Sequence, residues 1–176
     1  MVKIYPNFNA YYYSFYLESI IKRYNKIKFT KSGFNDFHQH SLAFIIDHFG
    51  KSYKIYISAG DGPGFNQLGL KWCDVYAKVN MDNQNVSIEY DHKVLPIGPS
   101  FGINYLDGFQ TIYHSLKTFL KSKTNLINSR EHFANYYRQW KHRVSIEKYN
   151  LSHSLDNYIF HASTLWRKEI NTNNFR

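Results

Sequence analysis

The residues with chemical potential fall in a few short stretches. Gly60-Asp61-Gly62-Pro63-Gly64 sets one carboxylate among three glycines and a proline. Glycine lets a backbone approach a ligand closely, and Asp61 can there bind a substrate hydroxyl or act as a base. The spacing matches neither the dinucleotide fingerprint nor the phosphate-binding P-loop, so the competing reading is a tight turn. A second stretch, Pro96-Ile97-Gly98-Pro99-Ser100-Phe101-Gly102, brings a hydroxyl and an aromatic ring into one loop. The nine histidines raise the question of a metal. His38-Gln39-His40 puts two imidazoles on one side of an extended backbone, and Asp47-His48 adds a carboxylate. Zinc ligands normally come at wider, regular spacing with further Cys or His partners, so surface or core histidines are the default and no metal is expected. Cys73 is the single cysteine and cannot form an internal disulfide. It follows Trp72 and precedes a β-rich run, which reads as a buried, inert thiol. No nucleophile elbow, paired zinc motif or kinase signature occurs, and the catalytic residues stay unknown.

These stretches gain meaning from the elements that carry them. Val2–Tyr5 reads as an opening strand stopped by Pro6, with Asn7 or Asn9 able to cap the next helix. Tyr13, Leu17, Ile20 and Tyr24 recur at helical spacing and predict a helix over about 9–24. Strand-like runs follow at Lys26–Thr30, Leu42–Ile46, Lys54–Ser58, Asp74–Val79 and Val94–Ile97, with a short helix over Phe65–Lys71. Ile112, Leu116 and Phe119 share one face of a helix over 109–121. Phe133, Tyr137 and Trp140 share one over 130–142. Tyr158–Ala162 reads as a last short strand. Strands separated by helices, several of them continuously apolar, predict an α/β fold with a mostly parallel sheet and helices on both faces. The stretch 41–97 packs strands with little helix between them and has room for an antiparallel or edge strand. The Asn171-Thr172-Asn173-Asn174 cluster resembles a helix start signal with no helix after it, and leads us to expect a truncated chain, the competing reading being a frayed polar tail.

In an open α/β sheet, ligands gather outside the carboxyl ends of the strands. That rule selects Asn7, Asn9, Asp61, Gly62, Asn80, Ser100, Phe101 and Gly102 as acceptor-binding candidates by position alone. Asp61 and Ser100 should then emerge on one edge, with Phe101 offering its face to a sugar ring.

Composition narrows the class. A 176-residue chain with 43% hydrophobic residues has the size and apolar content for a core, and reads as one domain over 1–176. The 16 Tyr and 14 Phe suit strands and helix–sheet contacts. No apolar run approaches the ~20 residues needed to cross a bilayer, and the N-terminus is too short and polar for a signal peptide, so a cytoplasmic protein is expected. A net charge of +9 favours anionic partners, including nucleic acid and acidic lipid headgroups. The basic residues are dispersed, which weakens the nucleic-acid case.

Two longer segment series carry a family likeness. One is Asp74-Val75-Tyr76-Ala77-Lys78-Val79-Asn80 followed by Lys93-Val94-Leu95-Pro96-Ile97-Gly98-Pro99-Ser100-Phe101-Gly102. The other is His132-Phe133-Ala134-Asn135-Tyr136-Tyr137-Arg138-Gln139, then Asp156-Asn157-Tyr158-Ile159-Phe160 and Leu165-Trp166-Arg167-Lys168-Glu169. Their order, from about residue 41 to the end, resembles the N-terminal part of bacterial glycosyltransferases from polysaccharide and lipopolysaccharide gene clusters. The resemblance implies one Rossmann-like half of a two-domain GT-B architecture. In such enzymes the N-terminal half mainly holds a saccharide or lipid-linked acceptor. The C-terminal half mainly binds the nucleotide sugar donor. This chain would then hold no cofactor and transfer no sugar by itself. Its basic charge would favour peripheral contact with an anionic membrane surface at the inner face of the cell membrane. The alternatives from other classes are a basic, aromatic-rich nucleic-acid-binding module and an inactive fragment.

Overall fold

The computed structural model describes residues 1–60, 62–81, 89–122 and 128–149. The chain divides into two units, Met1–Ile146 and Glu147–Arg176. All elements below belong to the first; the expected strand at 158–162 lies outside the described residues.

Six strands form one sheet: β1 Val2–Ile4, β2 Ile27–Phe29, β3 Leu42–His48, β4 Lys51–Ser58, β5 Val75–Lys78 and β6 Val94–Pro96. Their order is β2-β1-β3-β4-β5-β6. The pairs β1–β2, β4–β5 and β5–β6 are parallel, and β3 is antiparallel to both β1 and β4. Five strands therefore point one way and β3 alone opposes them. The antiparallel strand sits inside the sheet, not at its edge. The reason lies at Phe49-Gly50, where backbone φ angles of 45° and 75° form a tight turn. Two consecutive left-handed residues match strand twist in a two-residue hairpin, so β4 must fold back beside β3.

Four helices complete the domain: α1 Ser14–Arg23, α2 Gln67–Trp72, α3 Gly108–Ser122 and α4 Ser129–Lys141. α1 starts five residues later than its periodicity suggests. The Asn9 side chain accepts hydrogen bonds from the Tyr11 and Tyr12 amides and closes a turn ahead of the helix. Asn66 caps α2 through the Gly69 amide, and Asn128 caps α4 through the Glu131 amide.

The sheet is covered on both faces. On one, Val2, Ile4, Phe44 and Ile57 pack with Leu17 and Ile20 of α1 and Tyr136 of α4. On the other, Tyr5, Ile45, Tyr56 and Tyr76 pack with Phe37, Leu70 and Trp72. The second face is built from rings: Tyr56 and Tyr76 stack at 5.1 Å between centroids, and Phe37 meets Trp72 edge-on at 5.2 Å. Gly69 makes this possible, since a Cβ there would lie 2.8 Å from the Tyr56 ring. Cys73 is buried beside them, and desolvation pushes its thiol up to about 11, which keeps it protonated.

The α3–α4 hairpin inverts the usual pattern. Its buried residues are Thr111, Ser115, Thr118 and Ser122 on α3, facing His132, Asn135, Tyr136 and Gln139 on α4. Gln139 Nε2 donates to Thr111 Oγ1 at 3.0 Å, Thr118 Oγ1 lies 3.0 Å from the Tyr136 hydroxyl, and His132 Nε2 lies 3.0 Å from the Ser115 carbonyl. The apolar stripes recognised in the sequence point outward: Ile112 and Leu116 are 63% and 49% exposed. Periodicity located these helices, but the face they bury is the polar one, where Thr111, Thr118 and the Ser115 carbonyl meet Gln139, Tyr136 and His132, and Ser115 and Ser122 donate to carbonyls of their own helix.

Candidate functional site

Since β1, β4, β5 and β6 point the same way, the segments after each emerge at one edge. The antiparallel β3 contributes its beginning there, with Ser41 and His40. Two adjoining cavities, each about 340 Å³, open along this edge. Asn9, Tyr12, Tyr13 and Ser100 line one; His38, Ser58, Gly62, Asn66 and Lys78 are among the residues lining the other. His40 and Gly60 belong to both.

Hydrogen bonds from side chain to backbone join the separate loops into one rim. Tyr13, buried at the start of α1, donates its hydroxyl to the His40 carbonyl at 2.6 Å and accepts from the Ala59 amide at 3.3 Å. Burial raises its pKa, so the donor is retained. Tyr16 donates to the Gly98 carbonyl at 2.7 Å, and Ser100 to the Tyr12 carbonyl. The segments following β1, β4 and β6 are thereby tied to the segment that precedes β3.

Lys78 closes the second cavity. It ends β5 and is only 1% exposed. Its ammonium donates to the Gly62 carbonyl at 2.6 Å and the Gly60 carbonyl at 3.3 Å. A buried cation is costly unless it is hydrogen-bonded, so these contacts fix both the lysine and the glycine-rich loop. Asn66, exposed at the head of α2, donates its amide to the buried Tyr76 hydroxyl at 3.0 Å.

The seven positional candidates among the described residues separate into three groups. Asn9, Gly62 and Ser100 line the cavities, and the loops bearing Gly62 and Ser100 leave the same edge. Asn7, Phe101 and Gly102 have other surroundings. Asn7 is buried and donates Nδ2 to the Phe37 carbonyl at 2.9 Å. Phe101 lies against Phe15, 4.6 Å between centroids, instead of over the cavity. Gly102 is buried where a Cβ would come within 2.8 Å of Arg143 Nε, so it serves close packing. Asn80 is exposed just past β5 with φ 34°, a left-handed conformation that asparagine tolerates. Asp61 lies outside the described residues.

Of the lining residues that escaped the positional rule, three carry distinct chemistry: Tyr12, His40 and Lys78. Tyr12, 63% exposed, is the aromatic surface at the cavity mouth. His40 enters through the antiparallel strand, which a scheme of parallel strand ends leaves out. Lys78 was legible as a cation between Ala77 and Val79, a charge inside an apolar run. Among the described residues no group of three or more His, Cys, Asp or Glu side chains converges to hold a metal ion. The arrangement offers hydroxyls, amides, an imidazole, an aromatic face and a fixed cation. Such groups suit hydrogen bonding to a polyhydroxylated ligand. No protein-family profile, curated protein or solved structure matches this chain.

Proposed function

We propose that this chain is the acceptor-side domain of a glycosyltransferase that moves a sugar from a nucleotide donor to a saccharide or lipid-linked acceptor in cell-surface polysaccharide assembly. The observation that carries the reading is the pair of cavities at the carboxyl edge, where residues from several loops present hydroxyl, amide and aromatic groups. A sugar ring stacks on Tyr12, while Asn9 and Ser100 lie within the same cavity to meet its hydroxyls. Lys78 donates to the Gly60 and Gly62 carbonyls and so holds these two residues in place at the cavity wall. The donor-binding groups belong to a second domain, and sugar transfer requires both.

The test is amide-resolved NMR titration of the ¹⁵N-labelled chain with soluble di- and trisaccharides of glucose, galactose and N-acetylglucosamine. UDP-glucose and GDP-mannose serve as donor controls. Saccharide should shift the amides of Asn9, Gly60, Gly62 and Ser100, and Tyr12→Ala should weaken this at least about fivefold. The nucleotide sugars should leave these amides unmoved. Saccharide shifts absent from this edge, or sugar transfer by the isolated chain, would overturn the assignment.

A further inference from the structure

We propose that the outward face of the α3–α4 hairpin is a docking surface for an anionic lipid bilayer. On α3, Phe109, Ile112, Tyr113, Leu116 and Leu120 stand at i, i+3, i+4, i+7 and i+11, an apolar stripe along the whole helix. Exposure along it reaches 81% at Phe109 and 60% at Leu120, so these side chains protrude. α4 continues the surface with Phe133 and Tyr137, and the Phe119 and Phe133 rings meet at 5.0 Å where the two helices adjoin. A monomer rarely leaves so extended an apolar surface uncovered. Nor can rotating the helices hide it, because their opposite faces are committed to the Thr111–Gln139 and Thr118–Tyr136 contacts.

Charge selects the occupant. α3 carries Lys117 and Lys121 and no carboxylate; α4 carries Arg130, Arg138 and Lys141 against Glu131 alone. Lys117 Nζ lies 5.1 Å from the Tyr113 ring centroid, and Lys141 Nζ lies 4.3 Å from that of Trp140. Apolar side chains flanked by cations and amphipathic rings match the boundary between acyl chains and acidic headgroups. No helix among the described residues is long and apolar enough to cross a membrane, which leaves a hairpin lying in the interface plane. A second copy fits poorly, since a two-fold contact would set this basic face against itself. The inference stands on the hairpin and not on the cavities at the sheet edge.

Cosedimentation of the purified chain with vesicles tests it. Vesicles of phosphatidylcholine with phosphatidylglycerol are compared with phosphatidylcholine alone. The protein should pellet with the anionic vesicles and lose this at least roughly tenfold with added salt. Ile112→Ser with Leu116→Ser and Leu120→Ser should weaken partitioning roughly tenfold or more at unchanged thermal midpoint. Should that variant fail to fold, Lys121→Glu with Arg130→Glu, both at exposed sites, should give the same loss. Three outcomes overturn the proposal: no pelleting with anionic vesicles, unchanged binding by folded variants of both kinds, or a wild-type dimer that the serine variant converts to monomer. Saccharide titration of the same variants separates the two assignments, because it should stay unchanged.

Discussion

The central sheet and the α3–α4 hairpin solve the problem of burial in opposite ways. The sheet hides Val2, Ile4, Leu42 and Tyr76 and turns Lys51 and Ser52 outward. The hairpin hides Thr118, Ser122 and Gln139, all essentially without exposure, and turns Phe109, Ile112 and Leu120 outward. Apolar side chains are thus a source of stability in one region and of surface character in the other. Most of the hairpin's buried polar side chains find a partner, as Thr111, Thr118, Tyr136 and Gln139 do, while Asn135 Nδ2 is buried without one.

The largest expected effect contrasts one leucine from each region. Leu17→Ala, at a fully buried site on α1, should cost about 3 kcal/mol or more in urea unfolding, while Leu120→Ala on α3 should cost under about 0.5 kcal/mol. Equal losses would mean that the hairpin's apolar face is covered in solution, and the contrast would fail. Next in size, Gly69→Ala drives a methyl group into the Tyr56 ring and should destabilise by about 1–3 kcal/mol, a cost confined to the ring-packed face.

Within the hairpin, Thr111→Val leaves Gln139 Nε2 buried without its acceptor, which should cost about 1–2 kcal/mol. Adding Gln139→Leu removes the stranded donor but also the acceptor of the Tyr105 amide, so it should return only part of that loss, and a double-mutant cycle measures the coupling. A purely additive result would deny the polar seam its role. pH should report on the same seam. Burial holds the His132 pKa below its ordinary value, and burial together with Lys117 does so for His114. In that window the unfolded chain binds more protons than the folded one, so stability should fall as pH drops below about 6.5. His132→Asn should flatten this dependence. The smallest effect concerns the sheet's own exposed aromatic, Phe49, at φ 45°. Phe49→Asn should raise the urea midpoint by the equivalent of about 0.5 kcal/mol, because asparagine adopts that conformation more readily.

Element types were legible in the sequence wherever periodicity and turn residues agreed. The runs at Leu42–Ile46 and Lys54–Ser58 and the stripe residues Leu17 and Ile20 landed in the expected elements, and the fold class with them, while Tyr13 stands just ahead of α1. Direction was not legible for β3, since a continuous apolar run suits either orientation and only the backbone at Phe49-Gly50 decides. Nor was the orientation of α3, because a helical stripe reveals that a face is apolar and not whether it is buried. At the cavity edge, strand ends located Asn9, Gly62 and Ser100. Asn7 and Gly102 share that position in the chain, but their surroundings close over them through contacts remote in sequence, to Phe37 and Arg143.

The β3–β4 hairpin also bears on the order of assembly. Seven residue pairs, Leu42 with Ile57 through His48 with Lys51, join strands separated by a two-residue turn. Such a hairpin closes in roughly microseconds, whereas parallel crossovers such as β1–α1–β2 wait on longer loops. Because β3 borders β1 and β4 borders β5, that first ribbon exposes a template edge on each side. The sheet can therefore grow outward in both directions from its most local contact.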